Sequence, residues 1–335
     1  MTILQKLFAT VLAVFLLASL ANTVAAVDED LGVEYEVSGE GETQPAEEVE
    51  FDPKIEAMMQ KERHGLISLY LHTNGDHWSS KDKWMDQNEH HCMWFGVICN
   101  QNGRVVGISL PANQLNGTIP ELMFKSLSVL RQLDISLNYL KETVPPSISA
   151  LVHLEQIDLS YNYLTINLEN FNSMKRLSYL NVRWNTLITG NLESIDQLSQ
   201  LEVLFLQDND MSSLTLSGIG KLTSLHTLEL SKSGLKGEIP DVFDEAENLK
   251  RFVATSNRLE GRLPKSLLNL NSLEHLDLGN NMLYGEIGGF KSKEMLHLDL
   301  SNNNFTSTSK KLRISNFEKL SFLDFSGNQI GGMYK

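Results

Sequence analysis

The chain has 335 residues, 41% hydrophobic and 21% charged, with 42 acids, 28 bases and a formal charge of -14. That is enough apolar material for a sizeable core, so wholesale disorder is excluded, and the acidity argues against a nucleic-acid partner. Two cysteines in this length exclude a disulfide scaffold.

The first element, residues 1–26, reads as a secretory signal peptide: Lys6, an apolar run from Leu7 to Leu20, then small residues ending Val24-Ala25-Ala26. The competing reading is an uncleaved anchor, since the run is near the lower length for a span. Residues 27–52 follow as an acidic leader, with eleven acids between Asp28 and Asp52 and no base. With few large apolar side chains it cannot offset the entropy of ordering, and it is expected to be disordered. From Pro53 onward 31 acids face 27 bases, so the body is nearly balanced.

Residues 53–103 form an N-terminal cap segment. Asp52-Pro53 has the form of an N-cap followed by proline at the first helical position, and Ile55, Met58, Met59, Leu66, Leu69 and Tyr70 recur at roughly helical spacing. The helix should end near Thr73-Asn74-Gly75, before Trp78 and Trp84.

Residues 104–335 repeat L-x-x-L-x-L-x-x-N-x-L ten times, as in Leu130-Arg131-Gln132-Leu133-Asp134-Ile135-Ser136-Leu137-Asn138-Tyr139-Leu140. The asparagine column is Asn113, Asn138, Asn162, Asn185, Asn209, Ser233, Asn257, Asn281, Asn303 and Asn328, at intervals of 22 to 25 residues. Each unit supplies a short parallel strand whose alternating leucines face inward; Leu133 and Ile135 are expected in the core, and Gln132, Asp134 and Ser136 on the surface. The column asparagines are read as structural, each amide bonding backbone groups of neighbouring turns. Ser233 is too short for that and marks a local loosening.

Several units continue as Gly117-Thr118-Ile119-Pro120, Gly237-Glu238-Ile239-Pro240 or Gly261-Arg262-Leu263-Pro264, with Gly285-Glu286-Ile287 as a partial copy. These, with Trp84 and Cys92-Met93-Trp94-Phe95-Gly96-Val97-Ile98-Cys99, resemble the plant-type leucine-rich-repeat family and its N-terminal cap motif. The resemblance implies an α/β fold: a right-handed solenoid of about ten repeats behind a helical cap, related to polygalacturonase inhibitors and to ectodomains of receptor-like proteins and receptor-like kinases. It also implies a Cys92–Cys99 disulfide, in keeping with an exported chain. Repeats from Asn138 to Asn209 mostly lack the G-x-I-P element, and no C-terminal cap is expected after Asn328, so a longer receptor is a second reading.

Candidate chemistry is thin. No phosphate loop, kinase signature, nucleophile elbow or H-E-x-x-H occurs, and no motif implies a cofactor or resident metal. His90, His91, Cys92 and Cys99 could ligate zinc as an alternative to the disulfide. The position between the two core leucines carries six acids in ten repeats, Asp134, Asp158, Glu229, Asp277, Asp299 and Asp324; paired carboxylates can hydrolyse glycosides, but strands about 4.8 Å apart make this ladder a product of repetition first. His275 and His297 share one column and either hold a metal, titrate together or are ordinary surface.

Binding is the expected function, through a concave sheet facing a protein, peptide or glycan. The candidate contact residues are Tyr161, Tyr179, Arg183, Trp184 and Phe205, which interrupt the polar pattern, with Lys232, Lys250 and Arg251 as a basic island. The aromatic side chains could equally pack quietly on one another. Asn116 and Asn304 begin the two glycosylation sequons, both beyond the strand. The expected location is secreted, or the outer face of the plasma membrane.

Overall fold

The structure, a computed structural model, describes residues 53–308, 312 and 317–330. The signal peptide, the acidic leader and the expected lack of a C-terminal cap concern residues outside these. The body from Phe51 is one compact unit.

The chain enters through a 20-residue helix, Pro53–His72, whose Leu66, Leu69 and Tyr70 are buried. Asn74 ends it in left-handed backbone, which asparagine tolerates better than most residues. Trp78, Trp84, Trp94 and Tyr70 then pack ring to ring, with centroids 4.8–5.8 Å apart. Buried indoles need partners: Trp78 donates to the Thr73 carbonyl at 3.0 Å and Trp84 to that of Phe95 at 2.9 Å. Cys92 and Cys99 are bonded, with Cα atoms 5.6 Å apart.

Among the described residues eleven short strands form one sheet in chain order. The first, Val97–Cys99, runs antiparallel to Val105–Ser109. Every later neighbour is parallel and in register, for instance Gln132↔Gln156 and Leu133↔Ile157. Parallel register holds because every unit repeats the same leucine spacing, so each core column stacks on itself. Leu133, Ile157, Leu180, Leu204, Leu228, Phe252, Leu276 and Leu298 form one such column, all at most 1% exposed. Burying each contributes roughly 1.5–3 kcal/mol.

The asparagine column closes the turns. Asn138 donates from Nδ2 to the carbonyls of Leu110, Ile135 and Ser136 at 2.9–3.0 Å, and its Oδ1 accepts from the backbone N–H of Asn113 and Leu115. Asn162, Asn185, Asn209, Asn257, Asn281, Asn303 and Asn328 make corresponding bonds. Asn113 instead ties the solenoid to the cap, exchanging bonds with the backbone of Ser80. Ser233 reaches only the Ser231 carbonyl.

On the opposite side lie two four-stranded sheets: Asn116–Gly117, Tyr139–Thr143, Tyr163–Asn167 and Leu187–Thr189, then Lys236–Glu238, Arg258–Gly261, Met282–Ile287 and Asn304–Thr308. The gap between them falls in the unit spanning Asn209 to Ser233, where the column amide is missing. Asn116 and Asn304 are exposed in these outer strands, on the side away from the inner sheet.

One expectation fails. Ser136 is only 6% exposed rather than on the surface. Its repeat mates Ser160, Gln207 and Ser231 are buried as well, because close parallel strands on a concave face shield the shorter side chains between them.

Candidate recognition face

The residue before each column position has left-handed backbone in all ten repeats: Ala112, Leu137, Tyr161, Trp184, Asp208, Lys232, Ser256, Asn280, Asn302 and Gly327, with φ between 51° and 67°. This turn lets the following amide reach back into the core. Asparagine and glycine suit such backbone; bulky side chains are uncommon there. Tyr161 and Trp184 occupy it in consecutive repeats. Their rings stack at 5.7 Å with planes 9° apart, and they remain 37% and 47% exposed.

Arg183, one residue before Trp184, lies beside the stack. Its guanidinium carbon sits 5.3 Å from the Tyr161 ring centre and 5.7 Å from that of Phe205. Phe205 meets Tyr179 edge to face at 6.0 Å. Five of the sequence candidates thus form one continuous surface of three strands, both packed on one another and open to solvent. Among the described residues Arg183 forms no ion pair, and its buried Nε has no hydrogen-bond partner. A cation over two aromatic faces is attracted by their quadrupoles yet keeps its N–H groups for a ligand.

The basic island does not form as a free patch. Arg251 Nε bonds Glu229 Oε1 at 2.7 Å and Lys250 meets Glu274 at 3.0 Å. Parallel register places each base beside an acid of the preceding or following repeat, a pairing not visible along the chain. Lys232 stays exposed and instead lines an open groove of about 530 Å³ with Trp184, Asn185, Asp208, Asn209, Asp210, Ser233 and Gly234. Burial raises the Asp208 carboxyl, offset by the nearby charges of Lys232 and Arg183.

The acid ladder divides into two kinds of site. At its first end Asp134 and Asp158 are held by their own repeats: Ser136 and Ser160 donate through backbone N–H and hydroxyl to Oδ1, and Asn181 donates to Asp158 Oδ2 at 2.8 Å. Burial, and then the Asp134 charge, pushes Asp158 up to about 6. Burial and Asp158 also raise the Tyr179 phenol. At the far end Asp277 and Asp299 lie beside a stack of His275, His297 and Phe322, with ring centres 4.0 and 4.3 Å apart. Burial, Arg251 and His297 hold His275 down to about 4.

In the cap, the disulfide consumes the two sulfurs that a zinc reading of His90, His91, Cys92 and Cys99 requires. What the sequence did not reveal is Glu62. Fully buried, it accepts from Arg104 Nε at 2.7 Å and from the backbone N–H of Val105 at 3.0 Å. The only signal was an acid on the buried side of the helix.

Comparison with known proteins follows this geometry. The leucine rich repeat family profile matches residues 106–164. Receptor-like protein 39 of Arabidopsis thaliana is 33% identical over 100 residues, 29% of this chain and 11% of that relative. Among solved structures, PEPR1–AtPEP1 superposes with a TM-score of 0.70 at 26% identity, over 80% of this chain and 42% of that one. The plant peptide hormone receptor RGFR1, in complex with RGF2, gives 0.61 at 27%, over 67% and 36%. A plant ice-binding protein gives 0.70 at 23% over 82% and 88%, a likeness of fold alone. The chain therefore spans a small part of the receptor-like relative and less than half of the PEPR1–AtPEP1 and RGFR1 chains it matches. Repeat wording, stacked parallel strands and these likenesses show a leucine-rich-repeat solenoid, similar to plant receptor-like proteins and to the ectodomains of plant receptor kinases.

Proposed function

We propose that the protein is an extracellular recognition module, with no catalytic role, whose concave face binds an extended peptide or protein segment bearing an acidic group. Arg183 carries the reading: a guanidinium set over Tyr161 and Phe205, beside Trp184, with no ion pair among the described residues. An incoming carboxylate would take its N–H groups in a charge-assisted pair, and an apolar neighbour would lie on Trp184. The sheet is already ordered, so little freedom is lost on binding. One solved neighbour is named as a plant peptide hormone receptor in complex with RGF2, which supports a peptide over a glycan.

The exterior location draws support from the cap disulfide and from the receptor-like relatives. The same likeness favours a second reading, in which this surface is the ectodomain of a membrane receptor-like protein. Glycans on Asn116 and Asn304 would leave the inner sheet free.

Selection of a random displayed-peptide library on the immobilised protein tests the proposal. Enriched peptides should carry a carboxylate and bind at least about tenfold more weakly to Arg183→Ala and Trp184→Ala. Retained affinity in both variants would place recognition elsewhere.

A further inference from the structure

We propose that Asp277, His297 and Asp299 form a binding site on the concave face for a single divalent ion of the transition series, with zinc the natural occupant. The site is distinct from the Arg183 surface and does not depend on its ligand.

Register builds it. Strand His275–Asp277 lies beside His297–Asp299, pairing His275 with His297 and Asp277 with Asp299. One ligand atom from each of Asp277, His297 and Asp299 lies within 4.8 Å of the others. Around an ion with bonds of about 2.1 Å, adjacent ligand atoms are roughly 3 Å apart, a distance that small side-chain rotations supply. One imidazole with two carboxylates suits zinc and its neighbours, whereas calcium and magnesium take oxygen alone.

Three further observations point to a ligand. Ring nitrogen Nε2 of His297 is buried and has no hydrogen-bond partner among the described residues, while stacking between His275 and Phe322 fixes the plane of the ring. Each carboxylate is oriented through one oxygen only: Gly279 N–H donates to Asp277 Oδ1 at 3.0 Å and Ser301 N–H to Asp299 Oδ1 at 2.8 Å. Such outer bonds aim metal-binding carboxylates and leave the second oxygen available.

The third is Gly279 itself. In the nine other repeats this column carries serine five times, at Ser136, Ser160, Ser231, Ser301 and Ser326, and otherwise proline, arginine, glutamine or threonine, never glycine. Its φ is not positive, so the backbone does not require glycine there. A Cβ at this point would lie 3.2 Å from both Asp299 Oδ1 and Ser301 Oγ and 3.3 Å from Asp277 Oδ1, tighter than ordinary contact. Glycine therefore keeps open a space between two carboxylates, a use glycine serves where a ligand approaches closely. Asp134 and Asp158 face the opposite case, with serine hydroxyls bonded to them at 2.7 and 2.6 Å. Arg251, whose charge acts on Asp277, is committed to Glu229.

Titration of the full chain with Zn²⁺ by calorimetry, and with Co²⁺ followed by visible absorption, tests the site. One saturable equivalent is expected. Asp277→Asn, His297→Gln and Gly279→Ser should each weaken it at least about tenfold, with unchanged circular dichroism, while Asp134→Asn and His90→Gln leave it intact. Absence of saturable binding overturns the proposal, as does binding that survives all three substitutions or is lost in His90→Gln.

Discussion

Left-handed backbone in every repeat is a conformation the chain adopts ten times and fills with asparagine or glycine only three times, at Asn280, Asn302 and Gly327. At Lys232, exposed and bulky, replacement by asparagine should raise stability by about 1 kcal/mol, read as a higher thermal midpoint. Asn162 shows the reverse: its amide serves three carbonyls and its oxygen the Leu140 N–H. Asn162→Ala leaves these buried groups unmatched and should cost about 2–4 kcal/mol in urea unfolding. Asp158 predicts a pH effect whose sign follows from its raised carboxyl. Between the ordinary 3.8 and about 6 the folded protein holds a proton that the unfolded chain has released. That contribution is full below pH 4 and is lost as pH rises through about 6, on the order of 3 kcal/mol. Urea midpoints measured from pH 4 to pH 7 should fall for the native sequence and flatten for Asp158→Asn.

The cap helix and the outer sheets were legible to different degrees. Proline after an N-cap residue and apolar spacing gave a helix from Pro53 toward Thr73, and it spans Pro53–His72. Its buried Glu62 was hidden, because the partners Arg104 and Val105 lie 42 and 43 positions along the chain. Burial raises the Glu62 carboxyl while Arg104 and the Val105 N–H lower it. Glu62→Ala would strand the Arg104 charge and should cost about 3–5 kcal/mol, read from the fluorescence of Trp78, Trp84 and Trp94 during unfolding. The break between the outer sheets coincides with Ser233, whose single bond replaces the usual amide set. Hydrogen exchange should accordingly be faster across Asp210–Ser217 than in the flanking repeats, and Ser233→Asn should slow it. Equal protection in all repeats would contradict that account.

Taken as a whole molecule, the solenoid makes contacts of nearest-neighbour kind, so a property of one repeat acts through the repeats beside it. The two proposed surfaces can therefore share one sheet, the Arg183 surface in the middle and the Asp277–Asp299 group toward the end, with Arg183→Ala expected to leave zinc binding unchanged in calorimetry. The sequence by itself determined the repeat, the inward leucines, the asparagine column and the cap, because each depends on spacing along the chain, and spacing is what a sequence states directly. It also singled out Tyr161, Tyr179, Arg183, Trp184 and Phe205, since large aromatic residues interrupt an otherwise polar column. Only the tertiary structure decided which side chains meet across strands. Lateral pairing neutralised Lys250 and Arg251 while leaving Arg183 without an ion pair among the described residues, sank Ser136 beneath its neighbours, and set His297 between His275 and Phe322. These contacts join residues about 24 positions apart, at a separation where charge and shape are matched by register and not by local order.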